Sequence, residues 1–318
     1  MIQKKRVIAL GYFDGIHIGH AALMKRVLEI GNKTGLIPSV ITFDTHPRSL
    51  IDGKETPMIN SPEDRAGLIR RVFGIDDIIF LHFDRNTVSM SWSKFIEHLI
   101  NEFGARYLVA GNDFKFGFSA EGSSKLLAEK CKEAGIGCDI ISDVTYDSII
   151  SSSTHIRELL TKGDMERANA FLGHPHVLTD IVRYGYKLGR TLDAPTINMR
   201  FASGVLVPAF GVYATKVYID SDKSSAEDKH DTNPQGGHIG VTNIGVRPTV
   251  DDSDNITAET HILNFQRNLY GHQVRIEFYN RLRPEIKFSS IEELKEQIKK
   301  DCTAASDYFN KQNLENQK

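Results

Sequence analysis

The stretch GYFDGIHIGH, Gly11–His20, follows the apolar run VIAL and leads into a segment with helical periodicity. Its three glycines permit a tight turn from a strand into a helix, where unpaired backbone N–H groups at the positive end of the helix dipole attract phosphate. The glycine spacing differs from the G-x-G-x-x-G of dinucleotide dehydrogenases, and no GK[ST] of a P-loop follows. The stretch therefore predicts an α/β fold with an anion-binding turn after the first strand.

Short apolar runs alternate with helical segments throughout the N-terminal half, as in a parallel sheet with crossover helices. The helical segments carry apolar residues three and four positions apart. We expect a doubly wound, Rossmann-like domain from this pattern. Its predicted strands are Arg6–Leu10, Pro38–Phe43, Asp77–His82, Arg106–Ala110 and Ile136–Ile141.

The pattern changes from Val177 onward, where apolar and polar residues alternate between Gly, Pro and Asn positions. Such alternation is typical of antiparallel strands and predicts a barrel or a sandwich. The last periodic segment, IEELKEQIKKDCTAASDYF, predicts an amphipathic C-terminal helix. We therefore expect one domain over residues 1–178 and a second over residues 179–318.

The composition excludes several classes of protein. The chain has 318 residues and a net charge of −2, which gives no field that would hold a nucleic-acid backbone. No apolar run approaches the roughly 20 residues of a membrane span. The three cysteines lack CxxC spacing, which argues against a disulfide framework and a thiolate zinc site. We expect a soluble cytoplasmic protein without nucleic-acid or membrane partners, and a homo-oligomer stays open.

Two histidines, His17 and His20, stand where the glycine-rich turn meets its helix. Two imidazoles at this place can donate to phosphate oxygens as charge builds up in a transition state, so that no covalent nucleophile is required. The same spacing also suits two zinc ligands, although a third ligand is not evident nearby. A single histidine is more often structural than catalytic, but the joint arrangement with Asp14 and the glycines favours a phosphate site.

A second candidate site lies in the β-rich half, in the sequence PTIN. Thr196 and Asn198 are two positions apart on a predicted strand, so their side-chain oxygens face the same side. Hard oxygen ligands suit Mg²⁺, which shares its remaining positions with water and nucleotide phosphates. Gly189 and Arg190, just before this strand, are expected to form a positively charged flap over phosphate. The alternative is a Pro-Thr turn followed by an exposed asparagine.

Glu259 is the candidate general base of this second site. The alternation in TAETHILNF places Thr257, Glu259, His261 and Leu263 on one face of a strand. A carboxylate beside apolar and hydroxyl neighbours can take the proton of a substrate alcohol during phosphoryl transfer. The alternative is a solvated glutamate on the outside of a barrel, which spacing alone does not exclude.

The motifs of the N-terminal half resemble HxGH-class nucleotidyltransferases in their flavin-specific form, the adenylyltransferase half of bacterial riboflavin kinase/FAD synthetases. The resemblance begins at GYFDGIHIGH and continues through TFDTHP, LVAGNDFKFG and SSTHIRELLTKGD. It implies attack by the FMN phosphate on the α-phosphorus of ATP, with loss of pyrophosphate. The implied catalytic residues are His17, His20 and Arg157, and the implied ATP or flavin contacts are Gly11, Phe13, Asp14, Gly19, Asn112, Asp113, Ser153 and Thr154.

The SSTHIR segment also has a purely structural interpretation. A serine at its start is a common helix cap, and an arginine next to a glutamate is often a solvated helix face. The neighbouring motifs favour the functional interpretation.

The second half resembles the riboflavin kinase module of the same family. The matching segments, in order, are GRTLDAPTINM, GVYAT, VTNIGVRPTV, AETHILNF, LYG and RLRPEIKFSSIEELKEQIKKD. The resemblance implies a β-barrel in which Thr196 and Asn198 hold the metal and Glu259 is the catalytic base. It further implies nucleotide or flavin contacts for Gly189, Arg190, Pro195 and Arg283.

The sequence thus leads to the hypothesis of a bifunctional enzyme. Its barrel would phosphorylate riboflavin to FMN and its N-terminal domain would convert FMN to FAD, both with ATP and Mg²⁺. One alternative is an FAD synthetase whose barrel only binds flavin. Another is a flavin-responsive binding or regulatory protein, which would have no need of a base.

Overall fold

The computed structural model describes residues 4–44, 56–82, 89–184, 194–219, 237–246 and 256–315. The chain divides into two compact units, Met1–Ser153 and Thr154–Lys318. Compact units and functional domains need not share their boundaries. The domain boundary between residues 178 and 179 therefore stays a prediction.

The first unit contains a five-stranded parallel sheet. As far as the structure describes them, the strands of this unit are β1 (Arg6–Leu10), β2 (Ile37–Phe43), β3 (Asp77–Leu81), β4 (Ala105–Gly111), β5 (Lys115–Phe116), β6 (Gly122–Ser123), β7 (Gly137–Ile141), β8 (Thr145–Tyr146) and β9 (Ile149–Ile150). The order in the sheet is β3-β2-β1-β4-β7, and its pairs are parallel. The doubly wound prediction is confirmed.

Four α-helices with defined bounds accompany this sheet in the described part of the unit, and a π-helical segment, Ile69–Phe73, continues the second of them. They are α1 (Ile18–Thr34), α2 (Pro62–Leu68), α3 (Trp92–Asn101) and α4 (Ser124–Glu133). Residues Val7 to Leu10 of β1 are all buried, as expected for a strand with helices on both faces. Leu99 of α3 and Leu127 of α4 share one apolar cluster with Ile8 and Leu108 of the sheet.

The strand order explains why distant motifs meet. Strand β1 lies between β2 and β4, with Leu10 opposite both Ile41 and Ala110. The connections from β1 and β4 lead away in opposite directions, which opens a crevice at the carboxyl ends of these strands. The residues directly after β1 and after β4, which the sequence predicts to bind substrate, therefore share one edge of the sheet.

The second unit contains a six-stranded antiparallel sheet. Its elements are α5 (Ser153–Lys162, whose first residue belongs to the first unit), α6 (Met165–Leu172), β10 (His176–Ile181), β11 (Thr196–Arg200), β12 (Gly211–Ile219), β13 (His238–Val246), β14 (Ile256–Ile262), β15 (Gln273–Arg283) and α7 (Ile291–Glu315). The order is β10-β15-β12-β13-β14-β11. A bridge between Arg183 and Asn198 joins the two edges, so the sheet curls into a barrel and not into a two-sheet sandwich.

The C-terminal helix packs on the outside of the barrel, as its amphipathic pattern predicts. Ala305 and Phe309 of α7 are buried against Val212, Ala214 and Val241. In the described part of the chain, no helix combines the length and the apolar character needed to cross a membrane.

His176, at the start of β10, is a buried histidine whose ring lies 5.8 Å from the Phe278 ring between centroids. It is fully buried, and neither ring nitrogen has a hydrogen-bond partner among the described residues. Burial, with a smaller contribution from the charge of His174, lowers the pKa of His176 to about 3. The ring is therefore neutral in the folded protein at all but strongly acidic pH.

We expect His176 to make the fold acid-sensitive. In the unfolded chain His176 is protonated below about pH 6.5, whereas in the folded chain it stays neutral down to about pH 3. The free energy of unfolding therefore falls as the pH is lowered through this window. The slope is about 1.4 kcal/mol per pH unit. Urea unfolding at pH 7.5 and 4.5 measures the loss, which should be smaller in His176→Leu by the contribution of this one histidine. Equal losses in both proteins would contradict this assignment.

Candidate active sites

Three residues of the turn after β1 have a left-handed backbone conformation, which tight packing of the Phe13 and Ile16 side chains stabilises. Phe13 has φ 55°, Gly15 has φ 82° and Ile16 has φ 47°. Left-handed backbone is costly for residues with a side chain, above all for a β-branched one. The side chains of Phe13 and Ile16 are fully buried, which holds the turn in place. The chain thereby reaches α1 with His17 as its N-cap.

The two histidines of this turn stack on each other. The Gly19 N–H donates to Nδ1 of His17 over 3.1 Å, so the ring proton of neutral His17 lies on Nε2. The rings of His17 and His20 are 3.7 Å apart between centroids, at 24°. A Cβ on Gly19 would lie 2.9 Å from the His17 ring, so a larger residue here would displace that ring.

His20 presents an unsatisfied polar atom at the start of the helix. Its Nδ1 is buried without a hydrogen-bond partner within the described residues. Burial, followed by the charges of His17 and Arg65, holds the pKa of His20 well below its usual value. A neutral imidazole that lacks a partner at the positive end of a helix is suited to bind an anionic ligand.

Asp14 has partners within the protein. It is 1% exposed, and its Oδ1 accepts the Ile59 N–H over 2.8 Å and the Asn60 N–H over 3.4 Å. Its backbone carbonyl accepts the hydroxyl of Ser153 over 2.8 Å. These bonds tie the turn to two other segments. The implied contacts of Asp14 and Ser153 with ATP or flavin stay predictions.

The segment after β4 lies at the same edge of the sheet as the histidines. The Asn112 amide donates to Asp143 over 3.3 Å. A Cβ on Gly111 would lie 2.9 Å from the Asp113 carboxylate, so Asp113 folds back over the end of β4. The implied ATP or flavin contacts of Asn112 and Asp113 stay predictions. Thr154 and Arg157 lie in the N-terminal part of α5, and their implied roles at the triphosphate stay predictions.

Arg65 is a buried cation that the sequence reasoning missed. It is fully buried, and its Nη1 donates to the Phe43 carbonyl over 2.8 Å and to the Thr42 hydroxyl over 3.0 Å. Its guanidinium lies 4.5 Å from the centre of the Tyr12 ring. Buried charges normally have a counter-ion, and none is recorded for Arg65 among the described residues. The sequence does contain a sign of this burial: Arg65 lies three and four positions before Leu68 and Ile69, which places it on the apolar face of α2.

The predicted kinase residues Thr196, Asn198 and Glu259 lie side by side on two neighbouring strands of the barrel. Asn198 of β11 is directly opposite Glu259 of β14, and Glu259 is directly opposite Asn243 of β13. Thr196 is opposite His261. Directly opposed residues present their side chains on the same face of a sheet. The structure thus brings together the Thr, Asn and Glu that the sequence singled out.

Two cavities meet at this face. The larger, about 700 Å³, is lined by residues that include Pro195, Thr196, Asn198 and Tyr270. The smaller, about 230 Å³, is lined by Glu259 and Arg283 together with mostly apolar side chains, among them Val212, Val241, Ile286, Phe288, Leu294 and Ile298. Thr196 and His261 line both. A phosphoryl donor in one cavity and an alcohol in the other would therefore meet at these two residues.

Arg283 anchors the C-terminal helix beside the smaller cavity. Its Nη2 and Nε donate to the Asp301 carboxylate over 2.7 and 3.0 Å. The Gln297 amide donates to the same carboxylate over 2.8 Å. Arg283 thus lines the cavity, while much of its hydrogen bonding serves α7, and its implied flavin or nucleotide contact stays a prediction. Gly189 and Arg190, the predicted flap, lie outside the described residues.

Removing the Asp301 charge should loosen this helix. Asp301→Asn leaves Arg283 as a largely buried cation without its counter-ion, which typically costs about 3–5 kcal/mol. Because α7 supplies Leu294 and Ile298 to the smaller cavity, flavin binding should weaken with it. Chemical unfolding and a riboflavin titration measure the two effects. Asp307→Asn, at an exposed position of the same helix, is the matched control, and equal behaviour of both variants would contradict the assignment.

Two family models match the chain. The model described as FAD synthetase matches residues 1–155, and the model described as riboflavin kinase matches residues 172–309. The two matches follow each other along the chain and contain the histidine pair and the Thr, Asn and Glu cluster respectively.

Curated relatives extend over nearly the whole chain. A bifunctional riboflavin kinase/FMN adenylyltransferase of Listeria monocytogenes is 32% identical over 96% of this chain and 93% of the relative. A protein of the same name from Bacillus subtilis is 33% identical, with the same two coverages of 96% and 93%.

A solved structure, named as a macrolide-efflux protein from Streptococcus pneumoniae, has the same fold over nearly its full length. It is 27% identical and covers 95% of this chain and 94% of its own, with a TM-score of 0.79. Macrolide efflux has no counterpart in the two family models, which agree with the names of the curated relatives. The chain belongs to the bifunctional riboflavin kinase/FMN adenylyltransferase family.

Proposed function

We propose that this protein phosphorylates riboflavin to FMN in its barrel and converts FMN to FAD in its α/β unit. The observation that carries this proposal is that matches to both family models lie in one chain, each with its own assembled polar site. ATP is the phosphoryl donor in the first reaction and the adenylyl donor in the second.

In the kinase reaction, riboflavin occupies the smaller cavity and ATP the larger. The apolar walls of the smaller cavity suit a flat flavin ring, and Glu259 lines it within reach of a bound alcohol. Glu259 takes the proton of the ribityl 5′-hydroxyl as its oxygen bonds to the γ-phosphorus and the bond to ADP breaks. Thr196 and His261 stand at the junction where this transfer takes place.

The residues present fit a magnesium ion. Thr196 and Asn198 present a hydroxyl and an amide oxygen on one face, and both line the larger cavity. Two neutral oxygen ligands leave the remaining positions to water and to ATP phosphates, as Mg²⁺ prefers. Bound there, Mg²⁺ would neutralise charge on the phosphate oxygens during transfer.

In the adenylyltransferase reaction, the protein acts through hydrogen bonds and charge. A phosphate oxygen of FMN bonds to the α-phosphorus of ATP while the bond to pyrophosphate breaks. His17, His20 and the first N–H groups of α1 donate to the oxygens on which charge accumulates. Arg65 adds positive potential from behind the turn.

We place both reactions in the cytoplasm. Cys131, Cys138 and Cys302 are free thiols, which fits a reducing compartment.

The test is turnover by the purified protein. With riboflavin, ATP and Mg²⁺, we expect FMN and then FAD, accompanied by ADP and pyrophosphate, all measured by chromatography. Unchanged riboflavin with conversion of added FMN would establish an FAD synthetase alone. Absence of both ADP and pyrophosphate with every flavin would establish a binding protein.

A further inference from the structure

His261 makes a hydrogen bond that proton transfer to Glu259 does not itself require. Its Nδ1 lies 3.0 Å from the carbonyl oxygen of Pro195. A carbonyl only accepts hydrogen bonds, so Nδ1 carries the proton and Nε2 of the neutral ring does not. No partner of Nε2 is recorded within the described residues. Within the described residues, Nδ1 is therefore the ring nitrogen through which His261 acts on the protein.

The hydrogen bond from His261 joins β14 to the residue just before the edge strand β11. Strand β11 is at an edge of the sheet and begins at Thr196, where its ladder with β14 starts. On its other side, β11 is joined to the opposite edge by a bridge at Asn198. Pro195, just before the ladder, has no N–H to donate. The Pro195 carbonyl can still accept a hydrogen bond, and the His261 Nδ1–H donates to it over 3.0 Å.

The position of His261 connects this bond to the reaction. His261 is opposite Thr196 on the neighbouring strand, and these two residues line both cavities. A shift of the Pro195 carbonyl would turn the next residue, Thr196, away from the junction. Displacements of about 1 Å can cost about 100-fold in rate when they misalign reacting groups.

We propose that His261 is a positioning residue for riboflavin phosphorylation, and that its Nδ1–H bond to Pro195 aims the Thr196 hydroxyl at the junction of the two cavities. The proposal rests on the proposed kinase function. It assigns the catalytic proton transfer to Glu259 and gives His261 no chemical step.

Three variants of His261 separate its two ring nitrogens. The amide nitrogen of asparagine comes close to the place of Nδ1, and that of glutamine close to the place of Nε2. We expect His261→Ala and His261→Gln to lower kcat for riboflavin phosphorylation by about 10–100-fold, and to raise the Mg²⁺ concentration that gives half-maximal rate. His261→Asn should stay within about threefold of the wild type, because it keeps the donor to Pro195. FMN adenylylation by the same samples controls for folding.

The outcomes discriminate between the two nitrogens. Recovery by glutamine and loss with asparagine would overturn the proposal, since Nε2 would then be the working atom. Wild-type rates and Mg²⁺ dependence in all three variants would overturn it as well. Failure of the proposed kinase function itself would show separately, as absence of FMN formation by the wild-type protein.

Discussion

His20→Ala should reduce FAD formation from FMN by about 100- to 1,000-fold, the usual loss when one donor to a charged transition state is removed. His20 stacks on His17 at the start of α1, and its buried Nδ1 has no partner within the described residues. Riboflavin phosphorylation should continue at the wild-type rate. Pyrophosphate release with FMN and ATP measures the first activity, and FMN formation from riboflavin measures the second.

A conservative variant tests how His20 acts. Because its pKa is held well below the usual value, His20 is neutral near pH 7 and donates an N–H without carrying charge. His20→Gln, a neutral donor, should therefore recover part of the rate that alanine loses. The wild-type rate should show no decline linked to His20 as the pH rises from about 6 to 8. A decline through this range, with no recovery by glutamine, would mean that the imidazolium is the active form.

Glu259→Gln should give the opposite pattern and lower riboflavin phosphorylation by about 100- to 10,000-fold. Glutamine keeps the size of the side chain between Asn198 and Asn243 but accepts no proton at neutral pH. The loss should therefore lie in kcat, while the KM for riboflavin changes little. ADP formation with riboflavin measures the loss. FMN adenylylation is the internal control, and equal loss of both activities would contradict the assignment of two separate sites.

Much of the fold follows from local sequence patterns. Strands β12 (GVYATKVYI) and β15 (QVRIEFYNRLR) coincide with segments in which apolar and polar residues alternate. The parallel sheet follows from the alternation of apolar runs and helices, and the helix start at His17 follows from the glycine-rich turn. The C-terminal helix continues to Glu315, beyond the apolar pattern that ends near Phe309. Its last turns are mostly polar and exposed, so apolar periodicity does not mark where the helix ends.

Contacts between distant segments could not be predicted in this way. Asp14 binds amides 45 and 46 residues away, and His261 binds a carbonyl 66 residues away. Such bonds depend on how the strands are ordered and in what register, which local periodicity does not specify. Arg65 was missed for a different reason: arginine is rarely fully buried, so its place on the inner face of α2 was given no weight.

The central claim is that two independent sites in one chain are linked by FMN. It is tested most directly by mixing His20→Ala and Glu259→Gln proteins with riboflavin, ATP and Mg²⁺. Neither variant alone should produce FAD from riboflavin at an appreciable rate. The mixture should produce FAD after a lag, because FMN released by the first protein is adenylylated by the second. FMN that accumulates in the mixture without conversion to FAD would contradict the account.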